Sequence, residues 1–467
     1  MPLEAAEVEQ LAADLWVEWR DNREKTLEWQ RWAQGKQKLP VIPDSATAEY
    51  RALQEEAATP WLALIVQSLA QALVVDGFRR TGSDEDNLLW AVWQANNMDA
   101  KQVGVYEAAF TAGISYVAVL PASSEAPQTR IVPEVEGAPV PEWRPYSSSV
   151  MSAFFESPYD DWPVYALAAE PEPRWRLTVG QIPRWRLTLL DDEAIYLLTH
   201  EEGGRPALTG VREHGMGLCP VVAYINRQTI DGRVIGEVEP YTAVASRIDQ
   251  DVFDRLIVQR FGSWRVRTAT GLVTPETPEG QSKLEMDLKV GDVLVSDSPD
   301  TTFGSLPGTE LTGHLRAPIE DVRVLSAVSQ TPPTHLTGDL ANISADALAA
   351  IEAAYNRKVE QRKAMFGESH EQCFALSAQL LGTEVDPMAE VRWADLESRS
   401  LAQKADAFGK LAQMLEIPVE VLWDKLGFLT DQDRERARAL RAQGDGFDDL
   451  LRELSNGATS PPLPATS

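Results

Sequence analysis

Thiols are nearly absent from this 467-residue chain, and its two cysteines, Cys219 and Cys373, lie far apart with no metal-ligand spacing. That excludes a disulfide framework and a thiolate metal cluster, and it fits a reducing compartment. Histidine is also scarce: His200, His214, His314, His335 and His370 include no i, i+4 pair, so a zinc hydrolase has no support. A Gly-x-x-x-x-Gly-Lys-Ser/Thr loop and a Gly-x-Ser-x-Gly elbow are both missing. Gly210, Gly215 and Gly217 do not follow a strand and open a helix as a dinucleotide site requires, so they read as plain loop. The acidic pairs Asp160-Asp161 and Asp191-Asp192 are sequence neighbours and read as solvated surface. The residues therefore point to no enzyme, no cofactor and no metal.

Long apolar runs are missing too. The most apolar stretch, Trp61 to Val75, carries Gln67, Ser68 and Gln71 and is too short for a bilayer, so it reads as a buried helix. The N-terminus has no basic region followed by an apolar one, and the expectation is a chain with no membrane partner, made in the cytoplasm. Basic residues are the deficient charge: 43 Lys and Arg against 71 Asp and Glu give a net charge of −28. A protein built to grip DNA clusters cations against phosphates, so that role is not expected.

What is present is an ordinary globular balance, 44% hydrophobic and 24% charged, over a length that suits two to four domains. Residues 5–34 read as a tryptophan-rich helix stopped by Gly35, Pro40 and Pro43. Helices are expected at 60–74, 84–97 and 99–112, the last capped by Gly113, and Ser115–Leu120 follows as a strand. From 120 to 236, proline and short β-type runs dominate: 129–135, 164–168, 175–179, 185–190, 195–199 and 221–225. Arg174-Trp175-Arg176-Leu177-Thr178 is echoed by Arg184-Trp185-Arg186-Leu187-Thr188, which suggests a hairpin of the two.

At Glu237 the apolar spacing becomes helical as far as Phe261, with Gly262 as the stop. Strands at 264–269 and 290–296 and a helix at 311–329, despite Gly313 and Pro318, come next. After a Pro332-Pro333 turn, Ser344 is a candidate N-cap for a helix ending at Gly367. Glu390–Trp393 reads as a strand. Leu396, Leu401, Ala405, Phe408, Leu411 and Leu415 mark an amphipathic helix, Pro418 to Gly427 a shorter one, and Thr430 a capping residue for a helix to about 442. Residues 456–467 have the composition of a disordered tail. Fourteen tryptophans are the only feature favouring a carbohydrate-binding or hydrolytic protein, and Trp16, Trp19, Trp61, Trp90 and Trp93 lie on helices, where a core role is the default.

One block is more specific. Leu73-Val74-Val75-Asp76-Gly77-Phe78-Arg79 is followed by Leu89-Trp90-Ala91-Val92-Trp93-Gln94-Ala95-Asn96-Asn97-Met98-Asp99, then by Ala108–Gly113 and Ser115-Tyr116-Val117-Ala118-Val119. This order resembles the N-terminal half of portal proteins from long-tailed phages of actinobacteria. The resemblance is strongest over 60–120 and extends as a layout over 237–440.

The resemblance implies an α+β portal-type fold assembled as a ring of about twelve copies at a capsid vertex. Carried onto this sequence, 1–236 is the N-terminal part of a wing, 237–262 and 309–330 are two stem helices, and 263–308 is a β-containing clip. Residues 331–343 are the tunnel loop, 344–394 the long helix and wing return, 395–455 a helical crown and 456–467 the tail. Pro333, Thr334, His335, Thr337 and Asn342 are the DNA-proximal candidates. In the stem, Arg247, Asp251 and Arg255 are singled out, with Arg247, Arg255 and Arg260 expected to pair along their own helix with Asp249, Asp251 and Asp254. The implied partners are the other ring subunits, double-stranded DNA in transit, the large terminase ATPase, major capsid protein and scaffold, and a head–tail connector or adaptor. The implied location is the virion vertex, with the host cytoplasm during assembly. The alternative is another phage head structural or adaptor protein.

Overall fold

In the computed structural model the residues described are 2–79, 87–122, 140–172, 184–201, 203–262, 267–270, 302–305, 311–338, 345–394, 401–415 and 439. The chain forms two compact units. The first joins Met1–Gln30, Val66–Glu239 and Ala353–Ser467; the second joins Arg31–Ile65 and Pro240–Glu352.

The first unit is α+β. Helices α1 (Ala5–Ala33), α2 (Ala48–Ala57) and α3 (Trp61–Gln71) open the chain, α2 belonging to the second unit. Strand β1 (Val75–Arg79), helices α4 (Asn87–Ala95) and α5 (Met98–Ala112) and strand β2 (Ile114–Pro121) follow. Then come β3 (Pro141–Ser147), β4 (Met151–Phe154), β5 (Tyr165–Pro171), β6 (Arg184–Leu190), β7 (Ala194–Glu201), β8 (Ala207–Glu213) and β9 (Val221–Ile225). They build two antiparallel sheets, ordered β3-β2-β9 and β4-β5-β6-β7-β8.

Strands β5, β6 and β7 of the five-stranded sheet bury residues on both faces, and the period-2 alternation of the strands sorts them. Leu167, Leu187, Leu189 and Tyr196 pack under Val8, Ala12, Leu15 and Trp19 of α1. Ala166, Ala168, Leu190 and Ile195 point the other way, against Tyr116, Ala118, Leu120 and Val221 of the three-stranded sheet. The tryptophans of α1 are therefore core: Trp16 stacks on Trp19 with ring centroids 4.6 Å apart, and Arg23 caps Trp19 and Trp185 at 5.5 and 5.3 Å. Both edges of β6 are taken by β5 and β7. The 184–188 half of the sequence echo thus has no free edge for its 174–178 counterpart, which lies outside the described residues.

α5 is buried chiefly through Val105, Tyr106, Ala109, Phe110 and Thr111 and stops where expected, with Gly113 at φ 97° and its N–H on the Ala109 carbonyl. Gly236 passes so close to this helix end that a Cβ there would sit 2.7 Å from the Thr111 carbonyl oxygen and 2.8 Å from that of Phe110.

The remaining elements are α6 (Thr242–Gly262), β10 (Arg267–Thr270), β11 (Thr302–Ser305), α7 (Thr312–Ser329), α8 (Pro333–Thr337), α9 (Ala345–Leu381), β12 (Glu390–Trp393) and α10 (Leu401–Leu415). Strand β12 pairs antiparallel with β1, and β10 with β11.

Several expectations need correction. The long helix does not end at Gly367 but continues to Leu381, because its buried stripe goes on through His370, Cys373, Phe374 and Ser377. One glycine costs a helix only about 1 kcal/mol, which that packing outweighs. The helix expected from Glu237 begins at Thr242, after a 3-10 turn at Glu239–Tyr241 that contains Pro240. The Glu237 N–H is already committed to the Phe110 carbonyl at 2.6 Å. Gly210 lies inside β8 rather than in a loop, while Gly215 and Gly217 take φ 67° in the turn beyond it. The sequence patterns at α2, β3, β4 and β8 gave no expected element. Expectations at 129–135, 175–179, 290–296, Ser344, 418–442 (439 apart) and 456–467 fall outside the described residues.

Candidate functional site: the helix pair of the second unit

Helices α6 and α7 pack on each other within the second unit. α6 presents Ala245, Ile248 and Phe253 as its buried face, and α7 presents Val322, Leu325, Ser326 and Ser329. Pro318 is accommodated inside α7, seven residues in, despite the missing N–H. Between the helices the chain makes an excursion whose base is closed by the β10–β11 ladder, with Arg267 opposite Ser305 and Thr270 opposite Thr302.

For Arg247 the ion pair forms between the helices and not along α6. Arg247 reaches across to Asp321 on α7, and this contact holds its guanidinium above the ordinary range. Asp251 is raised, first by partial burial and then by the neighbouring Asp321 carboxylate, with Arg247 opposing. Asp249 faces inward, accepting from the Gln37 amide at 2.9 Å and the Thr59 N–H at 3.0 Å; burial raises it and these two bonds pull it back. Asp254 takes a bond from Gln250 at 3.0 Å. Arg255 Nε is buried without a hydrogen-bond partner among the described residues. The physical reason for the correction is cross-helix geometry: once α6 and α7 pack, Asp321 stands nearer Arg247 than any carboxylate on its own helix. Arg247 and Asp251 do come together, through Asp321; Arg255 does not join them.

α7 has more apolar surface than α6 covers. Leu311, Leu315 and Ile319 continue the direction of the buried face toward the helix start, and Val324 and Val328 form a row on the opposite side, all exposed. The charges of the pair balance. α6 holds Arg247, Arg255 and Arg260 against Asp249, Asp251 and Asp254, and α7 holds Arg316 and Arg323 against Glu320 and Asp321.

The segment after α7 is not an open loop. Gln330 takes a left-handed φ of 56° to end the helix, and Ser326 Oγ donates to the Thr331 carbonyl at 2.7 Å. Pro333 then sits at the first turn of the short α8. Pro333 and Thr337 are exposed, with Thr337 Oγ1 donating to the Pro333 carbonyl at 2.9 Å; Thr334 and His335 are half-buried, and Leu336 anchors the turn inward. Four of the five tunnel candidates thus share one short helix, which Gly338 ends at φ 71°. Asn342 lies outside the described residues.

A buried ion cluster in the first unit was missed by sequence reasoning. Glu237 accepts from Lys358 Nζ at 2.6 Å and Arg362 Nη2 at 3.2 Å, and Arg362 Nε donates to Asn226 Oδ1 at 2.6 Å. Burial alone would raise Glu237, but two cations hold it below the ordinary carboxylate range, while burial pushes Lys358 down. Lys358 and Arg362 at i, i+4 on one helix were the available signal; their acidic partner, more than a hundred residues earlier, was not.

Among the described residues no group of three metal-ligating side chains forms, and no helix is long and apolar enough to cross a membrane. A family model described as phage portal protein, SPP1 Gp6-like, matches residues 13–154 and 184–446. The portal proteins of Mycobacterium phages D29 and L5 are each 26% identical to this chain over 374 residues, covering 74% of it and 71% of theirs. A chain from the virion of a native gene transfer agent (GTA) particle superposes with a TM-score of 0.42 at 13% identity, over 85% of this chain and 95% of that one.

Proposed function

Because the chain belongs to the SPP1 Gp6-like family of phage portal proteins, we propose that it is one subunit of a ring of about twelve copies at a capsid vertex, forming the channel through which DNA is packaged and ejected. The observation that carries this reading is the family match over residues 13–154 and 184–446, the second stretch of which runs through the 263–308 excursion. In it α6 and α7 are the stem, 263–308 the clip, 1–236 the N-terminal part of the wing, 344–394 the long helix and wing return, and 395–455 the crown.

The α7 surface gives this reading its physical support. A helix with apolar rows on opposite sides needs two apolar neighbours. α6 provides one, and an adjacent subunit provides the other against Val324 and Val328. The segment bearing Pro333, Thr334, His335, Thr337 and Asn342 lies nearest the DNA.

A conduit must meet a polyanion without holding it, since every phosphate neutralised by Lys or Arg adds salt-sensitive affinity. The charge-balanced α6–α7 pair, in a chain of net charge −28, suits a wall that is neutral or acidic. Energy for packaging comes from a separate large terminase ATPase docking at the clip, and head–tail connector proteins take that surface later. Capsid protein and scaffold meet the wing during assembly in the host cytoplasm, and no catalytic step is assigned to this chain.

Mass photometry and negative-stain imaging of the protein, alone and co-produced with its capsid and scaffold proteins, test the ring. Particles near twelve times 51.6 kDa with a central hole are expected. A closed dimer under both conditions would overturn the reading.

A further inference from the structure

Two loops of the first unit meet at a tip to which the portal reading gives no task. One is the 155–164 connection between β4 and β5, the other the 226–236 hairpin that follows β9. The Tyr159 hydroxyl donates to the Ile230 carbonyl at 3.1 Å. Gly232, at φ 81°, lies so close to Pro158 that a Cβ there would sit 2.8 Å from the proline ring. Each loop is also closed on itself: Asp160 Oδ2 accepts from the Ser157 N–H at 2.7 Å, and the Thr229 N–H donates to the Arg233 carbonyl at 2.9 Å. At the root of the hairpin, Asn226 Nδ2 donates to the Ile235 carbonyl at 2.8 Å, while its Oδ1 is held by Arg362 of the buried ion cluster. This ordered tip nevertheless leaves Tyr159 72% and Ile230 82% exposed. Single exposed apolar residues are ordinary, but a fixed pair flanked by charge has the make-up of a contact surface. On these two loops Glu156, Asp160, Asp161 and Asp231 are exposed, against Arg227 and Arg233, and Arg233 is engaged by Glu239.

A stretch of the second unit has the opposite character. Residues 29–43 contain no Asp or Glu, in a chain with 71 of them, but carry Arg31, Lys36 and Lys38, all exposed. Val41, within this stretch, is 80% exposed, and among the described residues it and Ile230 are the two most exposed large apolar side chains. This stretch is fixed too. Gln37 is buried and its amide donates to Asp249 at 2.9 Å and to the Thr59 carbonyl at 3.2 Å, and Gln54 donates to the Pro40 carbonyl.

We infer that the loop tip of one copy seats on residues 31–43 of the next, its carboxylates meeting Arg31, Lys36 and Lys38 and its apolar pair covering Val41. The inference rests on the ring reading and names a contact by which the ring closes. Two unlike patches suit a head-to-tail contact, the kind that a ring repeats at every subunit. The net charge of −28 per copy does not oppose it. Screening over about 8 Å leaves the local charges in control, and here they are of opposite sign.

The test is charge reversal in the full chain, co-produced with its capsid and scaffold proteins and read by mass photometry. One variant carries Asp161→Lys with Asp231→Lys, the other Lys36→Glu with Lys38→Glu. Each alone should lower the fraction of chains in rings about tenfold, because tip and stretch then carry the same sign. Co-production of the two variants should restore rings, every one containing both chains, since each tip now finds its opposite only on the other variant. A single chain with all four reversals should form rings by itself. Rings that persist in either variant alone, or that return neither in the mixture nor in the fourfold chain, would overturn this contact while leaving the ring reading in place. Wild type that forms no ring would overturn the ring reading and this contact with it. Should a reversal lower the thermal midpoint, Asp161→Asn with Asp231→Asn and Lys36→Gln with Lys38→Gln decide instead. Each should raise the concentration at which rings form by about tenfold, and an unchanged threshold would overturn the contact.

Discussion

His370 is fully buried between two tyrosines, with the Tyr106 hydroxyl 2.7 Å from Nε2 and the Tyr224 hydroxyl 2.8 Å from Nδ1. Burial drops its pKa to about 3. The folded state therefore keeps it neutral where the unfolded chain, at about 6.5, begins to take a proton. Stability from this residue is complete above pH 6.5 and declines as pH falls toward 3, at up to about 1.4 kcal/mol per pH unit. Urea midpoints of wild type and His370→Gln, compared at pH 7, 6 and 5, should show the wild-type advantage shrinking with acidity; a constant gap would sink the idea. The Glu237 cluster allows a sharper comparison. Glu237→Gln leaves two buried cations unpaired and should cost about 3–5 kcal/mol, whereas Lys358→Met leaves Glu237 with Arg362 and should cost far less. Equal losses in urea would contradict the charge surplus. Neither cluster was legible in the sequence, since a lone histidine and a lone glutamate acquire meaning only from partners brought by the fold. Trp16, Trp19 and Trp93 were legible as core, because their helical neighbours share their spacing.

Elements were legible where punctuation and packing agree. Gly113 ends α5 as expected, and α7 forms at its expected place even with Pro318 inside it. They were illegible where one glycine had to be weighed against packing not yet known. At Gly367 a Cβ would meet Trp393 Nε1 at 3.7 Å and Glu371 Oε1 at 3.9 Å, ordinary contact distances. Gly367→Ala should accordingly raise stability, by up to about 1 kcal/mol, as alanine favours a helix interior. Gly236 is the opposite case: its Cβ would meet backbone oxygens of Thr111 and Phe110 below 3 Å, so Gly236→Ala should cost about 1–3 kcal/mol through overpacking. Thermal midpoints of the two variants should move in opposite directions.

At the scale of the whole molecule, the order wing, stem, clip, stem, long helix was implied by a family likeness, and only the helices themselves were read from periodicity. The family is now shown, and helices α6 and α7 form in the stretches expected to be helical. The acidic total was legible, but its distribution was not: α6 and α7 carry equal numbers of opposite charges, and the excess sits elsewhere. If Val324 and Val328 face a neighbouring subunit, changing both to Asp should leave the monomer's melting unchanged within a few degrees while abolishing rings in mass photometry. Rings that persist would remove α7 from the interface. The purified protein should also release no phosphate from ATP above background, and robust specific turnover would overturn its non-catalytic assignment.

Among the described residues strand β1 has one partner, β12, and Arg79 meets Glu390 across 311 positions of sequence. On the ribosome, β1 emerges long before that partner exists. At 5–20 residues per second the wait is roughly 15–60 s. For that interval β1 offers open backbone donors and acceptors beside the apolar Val75 and Phe78, a template for pairing with the same strand of a neighbouring nascent chain. Where many copies of one message are translated together, the yield of native chains is then set partly by elongation speed and by whatever covers β1 before its partner emerges.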